Sequence, residues 1–247
     1  MTTLLAQISD LHLDGSGRSS ERAERVMDYL RALPRPVDAV LVTGDIADHG
    51  AIAEYEEAAR ILDAPFPVLV GPGNHDVRAA FRKGLLGEEP ADGPIDRLYE
   101  IGDTAILMLD STIPGRDEGL LDAETLAWTR AALAQLPAGR RALLAFHQPP
   151  VALHHPLPDG SLLGNADELA ALLADHPRIA AVLTGHAHTP AASTFAGRPL
   201  VVAPGVTWTL RLPWEGDAPA MREQPPGLAF HVLDDGGRLT THFRVVP

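Results

Sequence analysis

Six apolar runs of four to six residues, separated by amphipathic stretches, constrain this chain more than any other feature. They fall at residues 4–9, 39–43, 67–70, 105–109, 142–146 and 179–184. Runs this short, without polar alternation, read as strands buried on both faces. The stretches between them have helical spacing. Over 20–33, Ala23, Val26, Met27, Leu30 and Leu33 share one face, and Pro34 stops the helix. Further helices are predicted at 51–62, 123–136 and 166–174, the last opened by Asn165 and Glu168 at capping-box spacing. After residue 190 the pattern changes. Strands are predicted at 199–203, 228–234 and 239–246, with no helix between them, and a Pro-, Trp- and Gly-rich loop spans 204–226. Strand and helix alternate first, and strands dominate last. That order fits two packed sheets with helices outside, an α+β arrangement, better than one wound parallel sheet. A chain of 247 residues is long enough to bury such a core as one domain over 1–247.

Five of the six runs end in the same kinds of residue. Asp10 and His12 follow the first, and Gly44-Asp45 the second. Gly73-Asn74-His75-Asp76 follows the third, His147 the fifth, and Gly185-His186-Ala187-His188 the sixth. In sheets fed by helical crossovers, sites form at the carboxyl ends of strands, so residues distant in sequence converge there. Each piece alone has a plainer reading, as a turn, a helix cap or a solvated loop. The set, repeated at five strand ends, points to a metal centre. With no cysteine in the chain, its ligands are carboxylate, amide and imidazole, a set suited to Zn, Mn or Fe. Gly44, Gly73 and Gly185 are expected to let the backbone turn beside the ligands.

These blocks resemble the calcineurin-like metallophosphoesterase superfamily, whose signature runs D-x-H, G-D, G-N-H-D/E, H and G-H-x-H in this order. The resemblance extends from Asp10 to His188. It implies a four-layer αββα sandwich of two mixed β-sheets flanked by helices, and a dinuclear metal centre. One ion would be held by Asp10, His12, Asp45 and His188, the other by Asp45, Asn74, His147 and His186, with Asp45 bridging. His75 matches the family's non-ligand histidine, which contacts phosphate or protonates the leaving oxygen. Asp45, Asn74 and His75 are therefore the expected catalytic residues. Where many relatives have a second histidine after the fifth-block ligand, this chain has Gln148. The segment beginning Asp110-Ser-Thr-Ile-Pro-Gly-Arg-Asp-Glu-Gly, and Asp48-His49-Gly50 followed by Glu54-Tyr55, look like bacterial class III cyclic nucleotide phosphodiesterases and glycerophosphodiesterases. Phosphoprotein phosphatases would show Asp-Arg-Gly in place of Asp48-His49-Gly50, and Glu in place of Asp76. The resemblance thus implies hydrolysis of a small phosphodiester, such as a 3′,5′-cyclic nucleotide or a glycerophosphodiester, and a homodimer. A phosphomonoesterase or nucleotide pyrophosphatase using the same metals is the alternative, and a non-catalytic scaffold a remote one. The His-x-His-x-Asp-His block of metallo-β-lactamases is absent.

Charge narrows the partners. A net charge of −13 argues against a nucleic-acid polymer, whose binding needs a basic stripe. The first ten residues lack a basic start and already contain Asp10, unlike a secretory leader, and no apolar run approaches the ~20 residues that span a bilayer. A cytoplasmic enzyme without membrane contact is the expectation. Among the remaining histidines, His49 is expected to cap, His154 and His155 to lie in a loop that is either solvated or lines a substrate entrance, His176 to end a helix, and His231 and His242 to pack or face solvent. For Trp208 and Trp214, in the long loop, burial against the core is the simpler expectation, with stacking on a base or dimer packing the alternatives.

Overall fold

The computed structural model describes residues 2–247, and its first half alternates strand and helix as the periodicity predicts. The chain runs through β1 (Thr3–Ile8), α1 (Gly17–Arg31), β2 (Ala39–Thr43), α2 (Ile52–Ile61) and β3 (Val68–Gly71). A short α3 (Arg78–Phe81) passes into a π turn at Arg82–Leu86, followed by β4 (Arg97–Ile101) and β5 (Thr104–Met108). Next come α4 (Ala123–Gln135), β6 (Arg141–Ala145), α5 (Ala166–Asp175) and β7 (Ile179–Thr184). The remainder is β8 (Ala191–Phe195), β9 (Arg198–Val202), β10 (Thr209–Leu210), β11 (Ala220–Met221), β12 (Gly227–Leu233) and β13 (Leu239–Val245).

Two mixed sheets result. One has the order β13-β12-β1-β2-β3, in which β1, β2 and β3 are parallel and β12 and β13 antiparallel. The other has the order β4-β5-β6-β7-β9-β8, with a parallel centre and antiparallel edges. Alternation along the strands fixes the layers. Leu5 and Leu41 pack against Met108, Leu143 and Leu183 between the sheets. Their neighbours Ala6, Ile8, Val40 and Val42 face α1 and α2, in a core with Val26, Met27 and Tyr55. On the far side, Leu144 and Val182 pack against Leu126, Leu133, Leu169 and Leu172 of α4 and α5. The four-layer αββα sandwich is thus built by strands that are apolar on both faces.

Two strands missed by periodicity, β4 and β8, are edges. In β4 and β8 exposed and half-buried positions predominate, so neither carries a buried apolar run. The 204–226 loop contains the small β10–β11 ribbon and is tied to α1, where Arg22 donates to the carbonyls of Val206 and Gln224. The capping box at Asn165 does not form. Its side chain instead accepts from Leu121 N–H and donates to Leu121 C=O, joining the loop before α4 to the start of α5.

Candidate metal centre

The carboxyl ends of β1, β2, β3, β6 and β7 gather at one rim, and the chain turns sharply there. Asp10, His12, Asp45, His186 and His188 all have φ between 43° and 69°. Left-handed backbone is costly for such side chains and persists only where the surroundings enforce it. Gly44 shares this conformation at φ 96°. Gly73 does not; it is needed for room, because a Cβ there would meet the Asp45 carboxylate.

All seven predicted ligands meet at this rim in two overlapping groups. In the first, His12 Nε2 lies 3.1 Å from His188 Nε2 and 3.4 Å from Asp45 Oδ2, and His188 Nε2 lies 3.4 Å from Asp10 Oδ1. In the second, His147 Nε2 lies 3.3 Å from Asp45 Oδ2, and His186 Nδ1 lies 3.1 Å from Asn74 Oδ1 and 3.3 Å from His147 Nε2. Asp45 touches both. His75 stands at the edge, its ring edge-on to His12 and its backbone N–H donating to Asp45 Oδ1.

The histidine tautomers show which atoms are offered. His12 donates from Nδ1 to Asp48 Oδ1 at 2.8 Å, His147 to the Thr43 carbonyl at 2.7 Å, and His188 to the Trp208 carbonyl at 3.3 Å. Each outward bond places a proton on Nδ1 and turns Nε2 inward, the nitrogen with which such imidazoles bind a metal. At 3.1 Å the facing Nε2 atoms of His12 and His188 need a proton or a cation between them. Asp10 makes the same point more strongly. It is fully buried and neither carboxylate oxygen has a hydrogen-bond partner. Burial pushes its carboxyl up to about 6, against the pull of His147. Burial also opposes ionisation of Asp45, yet facing His147 and His12 hold it well below the usual carboxylate range. His147 is raised to about 9, its burial outweighed by Asp45 and Asp10. His186 is lowered to about 3, first by burial and then by His147. Hard oxygen and imidazole donors, orphaned inside the fold, fit a pair of divalent cations.

Asp48 is a residue whose role periodicity and spacing did not reveal. Its carboxylate orients His12, while its backbone carbonyl accepts from His75 Nδ1 at 2.8 Å. Gln148 has a structural role: its Oε1 accepts from Ser111 Oγ and its Nε2 donates to the Asp117 carbonyl. His49 does not cap. Glu54 does, accepting from Ala51 N–H and holding His49 as well. His155 is buried and His154 exposed. Neither loop tryptophan buries as expected. Trp214 is exposed, and Trp208 stacks on His188 with ring centroids 3.8 Å apart, lining a 380 Å³ cleft above the site.

The chain is similar to known proteins. A probable cyclic nucleotide phosphodiesterase of Rhodococcus erythropolis is 33% identical over 243 residues, covering 94% of this chain and 80% of its own. The glycerophosphodiester phosphodiesterase GpdQ of Enterobacter lignolyticus is 30% identical over 242 residues, covering 92% and 86%. A dimetal phosphatase from Danio rerio superposes with a TM-score of 0.68 over 99% of both chains; at 15% identity the likeness concerns the fold. The Calcineurin-like phosphoesterase pattern itself matches residues 3–190, and the chain belongs to that family.

Proposed function

We propose that the chain is a phosphodiesterase whose rim holds two divalent cations, one by Asp10, His12, Asp45 and His188, the other by Asp45, Asn74, His147 and His186. Bound there, such a pair lowers the pKa of water and offsets charge on the phosphoryl oxygens. The observation that carries the reading is the orphaned Asp10 carboxylate beside three imidazoles that each present Nε2 inward. The donor set fits iron, manganese or zinc.

The chain's own residues supply the rest. Asn74 presents an amide oxygen beside His186, and Asp48 keeps the His12 ring in register. His75 serves the leaving group. Its Nδ1–H is committed to the Asp48 carbonyl, so Nε2 is the ring atom left to pass a proton to a departing alkoxide. Asp48 and Asp117 also line the cleft, and their charge favours a monoanionic diester over a dianionic monoester. The diester activities named for the relatives from Rhodococcus and Enterobacter support the same choice. We read residues 1–247 as one domain acting in the cytoplasm; among the described residues no helix is long and apolar enough to cross a membrane.

The test is turnover by metal-reconstituted protein across cyclic nucleotides, glycerophosphodiesters, nucleoside triphosphates and simple monoesters. The reading predicts metal-dependent turnover with diesters ahead. A monoester preference would replace it with the phosphomonoesterase reading.

A further inference from the structure

The loop that carries Asn74 and His75 reaches past the metal donors to helix α2. Asp76 follows these two residues and turns into the fold, almost fully buried. Its Oδ2 accepts the N–H groups of Gly73 at 2.9 Å and Ile46 at 3.2 Å, and its Oδ1 accepts that of Ala47 at 3.0 Å. The carboxylate therefore joins the loop of Asn74 to the loop of Asp45. A fourth bond comes from the Tyr55 hydroxyl at 3.0 Å.

Tyr55 lies on α2, is fully buried, and directs neither of its hydrogen bonds to a metal ligand. Its oxygen accepts the Val77 N–H at 2.8 Å, so its own proton goes to Asp76. The ring stands edge-on to Phe81 with centroids 5.5 Å apart, in a core that also takes Ala58 and Ile61 from the same helix. A phenylalanine would fill that space. The hydroxyl is what packing does not call for, and both its bonds go to the segment just after Asn74 and His75. The preceding residue acts on the other loop. Glu54 accepts the N–H groups of His49 at 3.1 Å and Ala51 at 3.0 Å, holding the chain just after Asp48. Two successive residues of α2 thus anchor the two loops to one helix. Asp45, at φ 49°, needs such enforcement, because left-handed backbone persists only where its surroundings impose it.

We propose that Tyr55 is a positioning residue of the metal centre: through Asp76 and Val77 it fixes the segment that bears Asn74, and so sets the grip on the ion that Asn74 holds. Groups that orient the ligands in this way tune metal affinity without touching the metal. The ion held by Asp10, His12, Asp45 and His188 draws no ligand from this segment, so the two ions respond differently to the loss of the hydroxyl. The inference rests on the two-ion reading above.

The test is Tyr55→Phe, which removes one oxygen and keeps the ring. Stepwise manganese affinities of the full chain are measured by equilibrium dialysis for wild type, Tyr55→Phe and Asn74→Ala, the last marking which step belongs to the Asn74 ion. Urea unfolding in chelator checks that each chain is folded. Tyr55→Phe should weaken the Asn74 ion about 5- to 50-fold and leave the other within about twofold. A general loosening of the fold would not single out one ion. Equal weakening of both ions, or unchanged affinity for both, would overturn the positioning role while leaving the two-ion reading intact. Wild type that binds fewer than two ions would remove that reading, and the role of Tyr55 with it.

Discussion

Two polar clusters are buried in this sandwich, and they are built on opposite terms. In the core between the sheets, His231 accepts from Thr241 Oγ1 at Nδ1 and donates from Nε2 to Gln7 Oε1. Gln7 in turn donates to Thr43 Oγ1 and the Thr184 carbonyl. The polar atoms of the His231 ring and of the Gln7 side chain have their partners within the chain. At the rim, a short distance along the same strands, neither Asp10 oxygen has a hydrogen-bond partner and two imidazole Nε2 atoms face each other. A buried carboxylate without hydrogen bonds costs of order several kcal/mol, and the imidazoles beside Asp10 offset only part of that. The first cluster is closed on itself; the second offers donors that could hold metal ions. They also meet, because the Thr43 carbonyl that orients His147 belongs to the strand braced by Gln7.

The contrast can be broken or sharpened by substitution. Asp45→Asn, which removes the carboxylate common to both groups, should reduce diester turnover below roughly a thousandth of wild type while the chain stays folded; substantial residual turnover in a steady-state assay would erase the distinction. His75→Ala should cost about 10²–10⁴-fold on alkyl diesters and far less on nitrophenyl esters, which need little protonation on leaving. Equal losses on the two would assign His75 to phosphate positioning instead. Asp48→Ala, which frees the His12 ring, should weaken metal affinity about 10- to 100-fold by equilibrium dialysis. Unchanged affinity would mean His12 is held by packing alone.

His231 gives the cleanest counterpart. Burial lowers its pKa from 6.5 to about 3, so the folded state holds it neutral. Between those values the unfolded chain binds more protons, and stability is lost as pH falls from 6.5 towards 3. The slope from this one group is at most about 1.4 kcal/mol per pH unit. Urea midpoints of wild type and His231→Gln, compared across that window in chelator, should converge at low pH. Parallel curves would show that His231 is not held neutral by the fold.

Much of this was legible in the sequence, for definite reasons. Strands buried on both faces leave continuous apolar runs, and ligands placed directly after them announce a shared rim. What stayed hidden depends on contacts distant in sequence. The edge strands β4 and β8 have no buried run to read. Asn165 has the spacing of a cap, but Leu121 offers its side chain two bonds from 44 residues away. Trp208 looked like a core residue because its bulk is apolar; only the path of the loop after β9 sets it on His188. Asp48 lies three residues after Asp45, and its double service to His12 and His75 emerges only when the strand ends are folded together.

The most direct test of the account is the metal content of the folded chain, measured by atomic spectroscopy after dialysis against manganese or zinc. Wild type should retain two ions per chain and Asp45→Asn no more than one. Wild type that holds a single ion or none, or an Asp45→Asn chain that still holds two, would contradict the shared-carboxylate site.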